Sequence, residues 1–84
     1  MNLSEYGVMM NQTYDKQKKH TTKNGKYFIS TNNTFDHGWE TMVFMRNPLN
    51  GKIDFTELDS GRYDNQEQAY KGHEQMINKW EAKA

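Results

Sequence analysis

Three groups of residues in this chain are equipped for chemistry. They are a lysine tract, three histidines with carboxylates nearby, and a stretch where amides, a ring, an acid and a histidine stand together. The tract is Lys16-Gln17-Lys18-Lys19-His20, followed by Lys23, Lys26 and Tyr27. Lysines at this density can neutralise phosphates, and a neighbouring ring can stack a base. The competing explanation is a solvated hairpin edge, where lysine also blocks edge-to-edge association. Net charge favours the second: 11 basic residues balance 11 acidic ones, so the usual basic footprint of a nucleic-acid binder is missing. Contact of Lys16, Lys18, Lys19 and Lys23 with nucleic acid is the weaker reading, and no nucleic-acid partner is expected.

His20, His37 and His73, with Asp36 and Glu74, contain donors that suit zinc or another transition metal. No two of the histidines have helical i, i+4 spacing, and HExxH does not occur, so no metal is expected. A nucleophile is equally poorly supported. The chain has no Cys, and Ser4, Ser30 and Ser60 lack a GxSxG setting. Asp54 and Asp59 flank what reads as a turn and look like solvated charge. No GxxxxGK[ST] or GxGxxG cradle is present. The expectation is a non-enzymatic protein with no catalytic residue and no cofactor.

The third group is the most promising surface. Asn32 and Asn33 can donate or accept, Phe35 and Trp39 can stack, and Asp36 and His37 bring a charged and a switchable group. The mixture suits a nucleotide base or the polar edge of a protein. Tyr70, His73 and Glu74 are expected as neighbours from a helix. The competing reading makes Phe35 and Trp39 core residues, Asp36 an Asx-turn cap, and His73 a packed, hydrogen-bonded core histidine.

These residues need a scaffold, and the pattern predicts one. Asn24-Gly25 tolerates positive φ at both positions, which a type I′ hairpin turn demands. It separates a weak strand, His20–Lys23, from a stronger one, Lys26–Thr31. Composition makes residues 32–38 a loop. Trp39 to Arg46 is the best strand, with Trp39, Thr41, Val43 and Met45 on one face and Glu40, Met42, Phe44 and Arg46 on the other. A second Asn-Gly, in Asn47-Pro48-Leu49-Asn50-Gly51, leads to a strand over Lys52–Glu57. A helix closes the chain. Asp64 is its expected N-cap with Glu67 three later, and Ala69, His73, Met76, Ile77 and Trp80 form its apolar stripe. Gly72 borders the stripe, which suggests close approach to the sheet. The predicted fold is α+β: an antiparallel meander of three or four strands with one C-terminal helix packed on it. Residues 1–14 carry no clear pattern and read as an N-terminal arm.

The 84 residues make a single small domain. Ile, Leu, Val and Phe together number only 12, so the core must lean on 11 aromatic residues and 6 Met. Charge is unevenly placed: residues 15–26 carry an excess of four lysines, and residues 54–67 an excess of four acids. The strand 39–46 is apolar on both faces, and the chain has little left to cover the second, so a homo-oligomer is expected. No stretch approaches the ~18 apolar residues of a membrane span, and no signal peptide is visible, so no membrane partner is expected.

Two segments carry a resemblance. One is Ser30-Thr31, then Asp36-His37, then Glu40-Thr41-Met42-Val43-Phe44; the other is Tyr63, Glu67, Ala69, Gly72-His73-Glu74 and Met76. Together they resemble a group of small bacteriophage proteins with an ST…LDH…FETMVF segment and a terminal Y-x-T-x-E-E-A-x-x-G-H-E helix. The match spans roughly residues 28–80, and the loop before Asp36-His37 is shorter here. The resemblance implies a phage accessory protein working in the host cell cytoplasm, and it transfers no catalytic residue. Such a protein is expected to act on a host defence component. It would either sequester a signalling nucleotide or occupy the surface of a host defence protein. A structural or DNA-metabolism accessory role is the alternative.

Overall fold

The computed structural model describes residues 17–34 and 38–84. The expected arm, residues 1–14, lies outside them. Four strands follow one another, β1 (Lys18–Thr21), β2 (Tyr27–Thr34), β3 (Gly38–Arg46) and β4 (Ile53–Tyr63), and a helix α1 (Gln66–Lys83) ends the chain. The sheet order is β1-β2-β3-β4 with every neighbour antiparallel, the meander that the two Asn-Gly turns predict. α1 packs across one face. The fold is α+β, as the pattern implies.

The first turn is set one residue earlier than an Asn-Gly centre would place it. The Gly25 N–H donates to the Thr22 carbonyl at 2.8 Å, so Lys23 and Asn24 are the central pair. Gly25 follows with φ +77°, a conformation that favours glycine. The Asn24 carboxamide oxygen explains the shift: it accepts from the Thr22 hydroxyl at 2.8 Å and from the Lys26 N–H at 3.0 Å. The second turn is one residue wider, with the Gly51 N–H donating to the Asn47 carbonyl at 2.8 Å around Pro48, Leu49 and Asn50.

Two strands run longer than composition suggests. β2 and β3 pair from Tyr27↔Met45 to Thr34↔Gly38. Asn32, Asn33, Thr34 and Gly38 are therefore strand residues rather than part of the loop expected over 32–38, whose residues 35–37 lie outside the described ones. Polar residues hold the strand because β3 satisfies their backbone amides and carbonyls. β4 continues past Glu57 to Tyr63 for the same reason. It pairs with β3 as far as Trp39↔Tyr63, with register shifts beside Val43, Phe44 and Met45.

α1 starts one residue later than expected. Asn65, not Asp64, is the N-cap: its side chain accepts from the Gln68 N–H at 2.9 Å. The Asp64 N–H donates to the Gln68 side chain at 3.4 Å, so the capping pattern is displaced by one. The extra residue gives the chain room to reverse after Tyr63.

The core lies between α1 and the sheet. Ile29, Thr31, Thr41, Val43 and Ala69 are fully buried, with Trp39 and His73 nearly so. Trp39, Thr41 and Val43 share the helix-facing side, as alternation predicts. Met45, the fourth of that set, is 50% exposed. Length explains the difference. α1 runs back along β4 and spans about 27 Å at 1.5 Å per residue. Eleven strand residues span about 36 Å. Trp80, near the helix end, reaches Tyr27 with ring centroids 4.9 Å apart, and no residue of α1 lines the sheet beyond it around Met45.

Candidate ligand groove

The sequence-predicted site divides when folded. Asn32 lies opposite Glu40, and its amide donates to the Ser30 hydroxyl at 3.3 Å. Asn33 is exposed, opposite Trp39. Trp39 is buried and meets Tyr70 edge-on, centroids 5.8 Å apart. Lys18 places its ammonium 4.5 Å from the Tyr70 ring centre. The expected neighbourhood of Trp39 and Tyr70 is therefore present, but both rings serve packing. Phe35, Asp36 and His37 lie outside the described residues.

His73 is a core histidine. It is 2% exposed, and a 2.7 Å hydrogen bond joins its Nδ1 to the Thr31 hydroxyl. Thr31 in turn bonds the Thr41 hydroxyl at 2.5 Å. Burial pushes the imidazole pKa below its ordinary value by penalising the charged form. The next residue, Glu74, is exposed on α1. Among the described residues no three His, Asp or Glu converge as a metal site, and no helix is long and apolar enough to cross a membrane.

Among the described residues the lysine tract does not form a continuous patch. Lys18 and Lys19 are consecutive on β1 and point to opposite faces. Lys23 sits in the turn, where its N–H donates to Glu81 at 3.2 Å. Lys16 lies outside the described residues. A different set of cations converges instead, at the sheet end that α1 leaves open.

There, a groove of about 690 Å³ is lined by Tyr27, Met45, Pro48 and Ile53 as its apolar surface. That volume falls within the range of small-molecule sites. Three cations border it: Lys26, Arg46 and Lys52. Asn47 and Asp54 complete the polar lining. The groove is at the opposite end of the sheet from the Thr34↔Gly38 pair. Its geometry follows from register. Tyr27, Met45 and Asp54 are cross-strand neighbours in one row. Lys26, Arg46 and Lys52 each come from a position nearer the turns.

Arg46 holds the two turns together. Its backbone N–H donates to the Lys26 carbonyl at 2.7 Å, and its Nη1 donates to the Gly25 carbonyl at 3.0 Å. A Cβ on Gly51 would lie 3.1 Å from Nη2. The guanidinium therefore sits between Gly25 and Gly51. Lys26 and Lys52 make no ion pair within the described part of the chain. Asp54 accepts the Thr56 N–H at 2.9 Å, and that bond holds its carboxyl below the usual range. Lys26 and Tyr27 stood at the end of the lysine tract in the sequence. Arg46, Lys52 and Asp54 gave no sign of joining them, because only the strand register brings them together.

No protein-family model matches this chain, and no curated protein and no solved structure matches it.

Proposed function

We propose that this chain is a non-enzymatic bacteriophage accessory protein that sequesters a host signalling nucleotide in the groove at the sheet end. One observation carries the reading: Lys26, Arg46 and Lys52 border an open, largely apolar groove floored by Tyr27 and Met45. A nucleotide has the matching halves. Its phosphates suit unpaired lysines as charge-assisted donors, and its base suits a ring and a thioether. An uncharged lipid would leave the cations without partners. The phage setting rests on the resemblance of residues 28–80, and the host cytoplasm follows from that setting.

Calorimetry against a panel of nucleotides tests the proposal. Micromolar or tighter binding is expected, weakening as salt rises because the phosphate contacts are exposed. Lys26→Ala and Lys52→Ala should each lower affinity by about tenfold. Absence of binding to any nucleotide overturns the reading.

A second reading has support from a different face. Phe55 is 73% exposed and stacks edge-on against Phe44, centroids 5.2 Å apart, on the side away from α1. An exposed ring of this kind suits occupation of a host defence protein's surface. A pull-down from host lysate that Phe55→Asp abolishes would favour it.

A further inference from the structure

We propose that Asp54 makes the groove selective for guanine over the other nucleobases, an inference that rests on the nucleotide reading above. Among the described residues, Asp54 is the one carboxylate lining a groove bordered by three cations. It makes no ion pair within the described part of the chain, so none of those cations neutralises it. An anion-binding groove gains nothing from a carboxylate that no cation neutralises unless the ligand brings donors to it. The acid is also oriented. Its carboxylate accepts the Thr56 N–H at 2.9 Å and a further hydrogen bond from the Thr56 side chain, which leaves part of its capacity of about four accepted bonds for a ligand.

The register indicates where such donors would arrive. Tyr27, Met45 and Asp54 form a row across β2, β3 and β4, roughly 10 Å from end to end at 4.7–4.9 Å per strand. The cations come from the turn side of that row. A nucleotide with its phosphate on the turn side lays its base over Met45 and brings the base edge to Asp54.

The four base types differ at that edge. Guanine presents N1–H and N2–H side by side, two donors for one carboxylate. Adenine and cytosine each set an amino donor beside a ring-nitrogen acceptor, which a carboxylate repels. Uracil and thymine flank one N–H with two carbonyl acceptors. Only guanine satisfies Asp54 without facing it with a lone pair, and a charged acceptor makes such hydrogen bonds the strong kind. An exposed carboxylate is ionised at neutral pH, and the Thr56 bonds lower the pKa of Asp54 further.

The experiment is calorimetry of the full chain with GMP, IMP and AMP. GMP is expected to bind at least tenfold tighter than AMP, with IMP, which lacks the N2 amino group, in between. Asp54→Asn should abolish the preference by weakening GMP about tenfold while AMP holds or improves. Asp54 is exposed, so the variant should fold, and circular dichroism verifies that. Equal affinity for GMP and AMP, or a preference that survives Asp54→Asn, overturns this inference and leaves the nucleotide groove standing. Failure of all three to bind overturns it together with the groove reading.

Discussion

At Gly72, a hydrogen in place of a methyl lets α1 lie against Tyr63. A Cβ there would lie well inside contact distance of Cζ, Cε1 and the hydroxyl oxygen of Tyr63. Gly to Ala in a helix normally gains about 1 kcal/mol. Here the overlap reverses the sign, and Gly72→Ala should lose about 1–3 kcal/mol of stability in urea unfolding. His73, next in sequence, gives the fold a pH dependence. Its folded pKa lies below the ordinary value of 6.5, so the unfolded chain binds the proton more readily. Stability is therefore full above that value and falls as pH drops below it. His73→Gln should flatten the profile in this window. Glu81 acts lower on the scale. Its hydrogen bond with His20, 2.8 Å long, is the main reason its pKa falls below 4.5. The support it gives is present above 4.5 and is lost as pH falls further, separately from the His73 step.

Among the elements, the cap of α1 is the most direct test of local structure. Asn65→Ala should cost about 1 kcal/mol, whereas Asp64→Ala should change stability little. The displaced cap also illustrates what the sequence conveys. Two overlapping patterns fit residues 64–68, and only the room needed after Tyr63 chooses between them. Strand identity was legible wherever side chains alternate, as in Trp39–Val43. It was not legible in Asn32–Thr34 or Leu58–Tyr63, whose residues favour turns until β3 offers them hydrogen-bond partners. The site followed the same division. Tyr70 and His73 were expected beside the 31–38 segment; Tyr70 meets Trp39 and His73 bonds Thr31, and packing claims Trp39 and His73. The groove stayed hidden because Tyr27, Met45 and Asp54 become neighbours through pairing alone.

For the molecule as a whole, the distribution of apolar surface bears on assembly. α1 covers one face of the sheet. Phe28, Met42 and Phe44 face the other by alternation, and the exposed Phe55 joins them through Phe44. Light scattering at micromolar concentration is expected to give a dimer or larger, and Phe55→Asp should shift it toward the monomer. A native mass of 10.0 kDa would contradict this. The sheet edges are poor routes to such assembly. β1 is short and carries Lys18 and Lys19, and β4 has register shifts and the acids Asp54 and Glu57. The meander order has a further, kinetic consequence. Each strand pairs with the one just before it in the chain, so no strand must wait for a distant partner. Three short connections close the sheet, and the entropy lost in closing each is small. Assembly of the sheet can then proceed hairpin by hairpin, each on a timescale of about 1–10 μs. The contacts that span the longest stretch of chain, such as Thr31 to His73 and His20 to Glu81, belong to the docking of α1. That docking, rather than strand pairing, is the step that would set the folding rate.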